Sequence, residues 1–319
     1  MRLDYELNAG RIVEDGHGSA AIRVYSEPTG DERAELSAFC GLDEHTLNSM
    51  LDPEEVPRIE VERDHTLVIW KQPNPASLRV AGRFEVSSVG LMLYADHLVI
   101  VTADDAPTMT HKRSRAIASL NDLLLQLLLD SVHHFLDHLR VIKHMAQEVQ
   151  SRLNSSVGNE HLLQMFALGE SLIFYVNAIE SNGGMLLRLR ASADRIGMSA
   201  DDVRLLEDVI IENNQCARQA AIYSEVLSGL MDARGNIINN NMNMLLKNLT
   251  IVNVVFLPMA LLVGIGGMSE YTMATQRLPW WLSYPLFLLA MGAIGLATWW
   301  GLRVWMDRTY GAGGGSRRK

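Results

Sequence analysis

Two rhythms of hydrophobic and polar positions run along this sequence. Over residues 1–115 short apolar runs alternate with polar and turn-forming residues. Strands are predicted at residues 21–25, 58–61, 66–70, 86–94 and 97–102, the last two flanking Ala95-Asp96 as a hairpin. Helices are predicted between them at residues 31–40, which open on acidic residues, and at residues 44–50. Residues 1–115 therefore read as an α/β domain.

Beyond residue 115 the period lengthens to that of amphipathic helices. One helix is predicted over residues 115–153, breaking at Asn154 to Gly158, and a second over residues 160–196, breaking at Gly197. A third starts at Ser199, an N-cap with Asp202 three residues on. There is no proline between Ser199 and Pro258, so nothing forces this helix to end early. At roughly 65 residues it would reach on the order of 100 Å. A helix of that length needs partners along its sides, and residues 116–247 read as the long-helix stalk of an oligomer.

Charge then vanishes twice: residues 248–269 carry none, nor do residues 278–302. Each run approaches the ~20 residues that cross a hydrocarbon core. Trp280-Trp281 and Trp299-Trp300 bracket the second as aromatic belts. The spans are assigned to residues 248–269 and 280–302, with a short outer loop over 270–279 and a basic tail over 303–319. The first span holds Thr250, Asn253, Pro258, Gly264, Gly266 and Gly267, a polar and small-residue load that belongs against protein or water rather than lipid. Lys247 precedes the spans and Arg303, Arg308, Arg317, Arg318 and Lys319 follow them, so the positive-inside rule puts both termini in the cytoplasm.

The charge balance is as uneven as the hydropathy. Residues 247–319 hold seven Lys/Arg against two acids, whereas the preceding residues hold 21 against 35. So acidic a water-soluble part repels nucleic acid and attracts cations. Cys40 and Cys216 make neither a disulfide framework nor a metal knuckle, and the first residues lack the pattern of a secretory signal. There is no nucleophile elbow, Walker loop or HExxH motif, so an enzyme is not expected, nor an organic cofactor.

Within the third helix two heptad rows interleave: Asn239, Leu246, Asn253 and Ala260, and Asn243, Thr250, Leu257 and Gly264. In a closed coiled coil these polar positions cost stability; in a ring of helices around water they line the path. The stretches Asn239 to Asn243, Lys247 to Ile251, Phe256-Leu257-Pro258 and Gly264 to Met268 resemble the CorA family of divalent-cation transporters, and the layout of the whole chain is similar. The family's Gly-Met-Asn signature is altered here to Gly267-Met268-Ser269, as in divergent members of the ZntB or CmaX type.

The resemblance implies a homopentamer in a bacterial inner membrane, with the first span of each copy around a central pore. It carries over an ion pathway of Asp232, Asn243, Leu246, Leu249, Asn253, Leu257, Ala260 and Gly264, ending at a selectivity mouth of Gly267, Met268 and Ser269. The substrate expected is a hydrated divalent cation, Zn2+ or Mg2+, with Co2+ and Ni2+ as further candidates. A serine hydroxyl is shorter than an asparagine amide and would make a wider ring. A non-conducting sensor or scaffold on the same fold is the alternative. The glycines also admit the plainer reading of close helix packing.

One further cluster lies outside the pathway. Asp130, His133, His134, Asp137 and His138 share one arc of a helix, and His134 and His138 are four apart, the spacing at which two imidazoles can share a metal ion. Asp130, His134, Asp137 and His138 are therefore a candidate metal site, of a kind suiting zinc, cobalt or nickel; a solvated polar face is the plainer reading.

Overall fold

The computed structural model describes residues 1–8, 10–14, 20–74, 84–104, 116–153, 159–274, 276–277 and 279–311. Among the described residues seven strands form one sheet: β1 (Arg2–Asn8), β2 (Arg11–Glu14), β3 (Ile22–Ser26), β4 (Arg58–Val61), β5 (His65–Pro73), β6 (Val86–Tyr94) and β7 (Leu98–Thr102), ordered β2-β1-β3-β7-β6-β5-β4. Only β3 and β7 pair in parallel; the other neighbours are antiparallel. The predicted hairpin is present, with the Tyr94 N–H donating to the His97 carbonyl over 2.9 Å.

The strand period of two sorts side chains onto two faces. Leu67, Ile69, Met92, Val99 and Val101 join Leu36 and Cys40 of α1 (Gly30–Cys40) and Leu47 and Met50 of α2 (Glu44–Leu51). Val68, Trp70, Leu91, Leu98 and Ile100 face the other way, into the larger core with the long helices. Because both faces are covered, β7 is buried at every position and apolar up to its last residue, Thr102. At Gly90 a Cβ would overlap the Met50 side chain, so glycine admits α2 to the sheet.

Three long helices complete the first part. They are α3 (Leu120–Leu153), α4 (Asn159–Ala191) and α6 (Ala200–Gly266), with the short α5 (Ala193–Ile196) before α6. Leu124, Leu128, Val132, Phe135 and Leu139 of α3 recur at three- or four-residue spacing and meet Leu168, Leu172, Tyr175 and Ile179 of α4 in one core. The start of α3 lies later than the apolar pattern suggests, because Ser119 caps it: its Oγ accepts from the Asp122 N–H (3.0 Å) and the Asp122 carboxylate accepts from the Ala118 N–H (2.8 Å). The second predicted helix is interrupted at Ser192 and ended by left-handed Gly197, φ 75°. Ser199 and Asp202 form the expected cap of α6 (3.1 Å and 2.9 Å). The predicted break at Asn154 to Gly158 lies outside the described residues.

Asn182 of α4 binds β5 as another strand would. Its Oδ1 accepts from the Lys71 N–H (3.0 Å) and its Nδ2 donates to the Lys71 carbonyl (2.8 Å), beyond the point where β4 stops pairing at Ile69. The N-terminal hairpin β1–β2 is not anticipated by the hydropathy pattern, since Arg2–Asn8 alternates charged residues with apolar ones on a half-covered edge.

The chain divides into two compact units, Met1–Met231 and Asp232–Lys319, and α6 contributes to both. In the second unit α6 is followed by α7 (Ser269–Ala274) and α8 (Trp280–Gly311). The C-terminal part of α6 and residues Trp280–Val304 are long and apolar enough to cross a membrane. The α6 helix ends at Gly266, a few residues before the predicted limit of the span, and the outer loop holds α7.

Candidate ion pathway along the long helix

The residues predicted to line a pathway lie on α6, and one arc of that helix is already taken. From residue 251 onward Ile251, Val255, Pro258, Met259, Leu262 and Gly266 are half-covered, while the positions between them are exposed. The matching stripe on α8 is Ser283, Phe287, Met291, Gly295, Thr298 and Leu302. Two contacts fix this pairing, and they are reciprocal. A Cβ on Gly266 would stand 2.7 Å from Phe287 Cζ, and a Cβ on Gly295 would stand 3.1 Å from Met259 Sδ. Each helix lays a large side chain over a glycine of the other, as close-packed membrane helices do.

Successive residues turn by about 100°, so Leu257 and Gly264 stand about 140–180° around α6 from Met259 and Gly266, and Asn253 and Ala260 stand about 100–140° away. All four are exposed, Leu257 at 73%. Thus α8 leaves uncovered the arc that carries both heptad rows. Asp232, Asn243, Leu246 and Leu249 are also exposed, but every residue from 235 to 250 is, so exposure singles out no face there. The Thr250 hydroxyl donates to the Leu246 carbonyl over 2.8 Å, which keeps its hydrogen within the helix.

Gly264, Gly266 and Gly267 are not equivalent. Among the described residues only Gly266 has close company from another helix; Gly264 has nothing within 4 Å of a built Cβ, and at Gly267 the nearest atoms are carbonyls of its own helix at 3.5 Å and 3.6 Å. None of the three adopts a positive φ. Of these three, then, Gly266 is the one at which the described residues of its own chain demand glycine sterically. The helix tightens as it ends: Gly267 N–H donates to the Val263 carbonyl (3.0 Å) and Met268 N–H to the Ile265 carbonyl (3.1 Å), three residues back. Gly267, Met268 and Ser269 follow, all exposed, with Ser269 opening α7. Sequence reasoning missed Phe287, Met259 and Gly295, whose signal is a large residue and a glycine seven apart on one helix and eight apart on the other.

The histidine cluster folds differently from the expectation. His138 is buried in the core, where its Nδ1 lies 2.6 Å from the Tyr175 hydroxyl and its ring meets Phe84 edge-on at 5.5 Å. Burial, with the neighbouring His134 adding to it, pulls the His138 imidazole down to about 4, and burial lowers His134 too. Asp137 is exposed and accepts from Arg140 (2.6 Å); Asp130 is exposed as well. Asp130, His134, Asp137 and His138 are therefore not brought together as a metal site, and among the described residues no three His, Cys, Asp or Glu side chains are grouped to hold a metal ion. The cause is that α4 covers part of the arc that a helical wheel of α3 presents as polar.

The chain is similar to the cobalt/magnesium transport protein CorA of Methanocaldococcus jannaschii, at 23% identity over 274 residues, covering 82% of this chain and 84% of the relative. Its fold matches the complete structure of the CorA magnesium transporter from the same organism, with a TM-score of 0.72 and 20% identity over 97% of both chains. It also matches the full-length CmaX protein, with a TM-score of 0.69 and 17% identity over 95% of this chain and 97% of that one. The sequence description of the CorA-like Mg2+ transporter protein family matches residues 23–303, nearly the whole chain, and the protein belongs to that family.

Proposed function

We propose that the protein conducts hydrated divalent cations across a membrane, through a pore formed where the α6 spans of several copies meet, five by family resemblance. The observation that carries this reading is the bare arc of α6. Asn253, Leu257, Ala260 and Gly264 occupy the side that α8 does not cover, and an amide in mid-span needs protein or water beside it. A second copy of α6 supplies protein, and a ring of copies supplies water.

A small, strongly hydrated dication is costly to strip, so uncharged oxygens that meet its water shell guide it better than a tight cage. Asn243 and Asn253 supply such oxygens, and Leu246, Leu249 and Leu257 form apolar constrictions that close by dewetting. Asp232 from each copy concentrates cations at the inner mouth. At the outer mouth Ser269 meets the hydrated ion in place of the family's asparagine. The M. jannaschii relative is named for cobalt and magnesium, which puts Mg2+ and Co2+ first among the ions. With the histidine cluster removed, the case for Zn2+ rests on Ser269 alone. The basic residues around the spans support a cytoplasmic first unit.

Flux into proteoliposomes loaded with an ion-sensitive dye tests the proposal, using Mg2+, Co2+, Zn2+ and Ni2+ in turn. The wild type is expected to admit at least one ion faster than empty vesicles do. Leu257→Asp should raise the rate by wetting the constriction, and Ser269→Asn should shift preference toward Mg2+. No flux of any ion would overturn conduction and leave a membrane sensor or scaffold on the same fold.

A further inference from the structure

The mouth residues Gly267, Met268 and Ser269 follow directly on a contact that the pathway does not use. The Phe287 ring lies against Gly266 closely enough that a Cβ there would fall 2.7, 3.1 and 3.3 Å from three of its carbons. Such separations require one helix or the ring to move. Seven residues earlier on α6, Met259 rests on Gly295, so the end of α6 is held against α8 at two levels. Gly266 is also the last residue of α6. Whatever fixes Gly266 fixes where the next three residues begin.

We propose that Phe287 is a positioning residue for the ion mouth: its ring, seated on Gly266, sets the height and radial position of Gly267-Met268-Ser269 and thereby which hydrated ion the ring of mouths accepts. This inference rests on the pore reading above. Three consequences follow from the geometry. Because Gly266 faces α8 while Gly264 faces away from it, a methyl at 266 pushes the end of α6 toward the arc that carries the pathway. The displacement is not absorbed by a long loop, since Gly267 and Met268 are still hydrogen-bonded to Val263 and Ile265. A smaller side chain at 287 makes room for the methyl and returns the mouth to its place.

The test uses the full chain with Gly266→Ala, Phe287→Leu and the double substitution. In proteoliposomes Gly266→Ala is expected to change the ratio of Co2+ to Mg2+ uptake by at least about fivefold, the scale of coupling between contacting residues, and the double variant should recover most of it. A packing defect alone would lower the amount of assembled protein and leave that ratio unmoved, which would overturn the proposal. A second readout does not depend on conduction. With Met268→Cys as a reporter, the rate of reaction with a membrane-impermeant maleimide should shift several-fold in Gly266→Ala and return in the double variant. Cys40 and Cys216 are buried in the first unit and do not compete. If the wild type carries no ion, the pore reading fails while the maleimide rates still decide the positioning. Equal rates in all backgrounds would sink the positioning itself.

Discussion

At the residue scale, two buried polar side chains carry testable energetics. Tyr175 and Phe84 enclose His138, whose imidazole ordinarily titrates at 6.5 and in the fold at about 4. Between those values the unfolded chain takes up a proton that the folded chain refuses. Stability from this group is therefore complete above pH 6.5 and declines as the pH falls toward 4. His134 acts in the same direction. Denaturant midpoints of the detergent-solubilised chain measured across this window should fall on acidification, and His138→Gln should flatten the dependence. Asn182 offers a second test: Asn182→Leu strands the Lys71 N–H and carbonyl, and at about 1–3 kcal/mol for each unmet buried group it should destabilise by about 2 kcal/mol or more in the same assay. Neither role is legible in the sequence. Tyr175 lies 37 positions from His138 and Lys71 lies 111 from Asn182, and residue patterning within one helix says nothing of what packs across it.

At the scale of elements, what the sequence announces is periodicity, and what it conceals is pairing. The strands β4 and β6 and the helix α2 follow from alternation and caps; β1 and β2 do not, because a half-exposed edge hairpin has too little apolar signal. The two spans announce themselves by absence of charge and by the tryptophan belts, and all four tryptophans of those belts are exposed. The heptad rows of α6 mark the arc left bare, but that Gly266, and neither Gly264 nor Gly267, packs on α8 required the partner helix. A contrast follows. Cysteines at Met259 and Gly295 should cross-link within one chain, and Gly264→Leu should leave that yield unchanged while reducing ion flux. Among the described residues nothing lies within 4 Å of a Cβ built on Gly264, so a loss of flux with unchanged cross-linking points to a neighbouring copy.

At the scale of the whole molecule, the bare arc of α6 and the spread of charge point outward from the single chain. Residues 247–319 carry a surplus of five positive charges and the rest a surplus of fourteen negative, so cations are drawn toward the long N-terminal part. Native mass spectrometry from mild detergent is expected to give a single assembled species of five chains; a stable monomer would contradict the shared pore. The exposed amide of Asn253 has a consequence for biogenesis as well. A newly inserted copy holds that group against lipid until others arrive, a state disfavoured by a cost that assembly removes. Insertion and assembly are thus linked in time, and lone copies should be the short-lived ones: in a pulse-chase, chains kept apart by low expression should be cleared faster than assembled ones, and Asn253→Leu should lengthen their life.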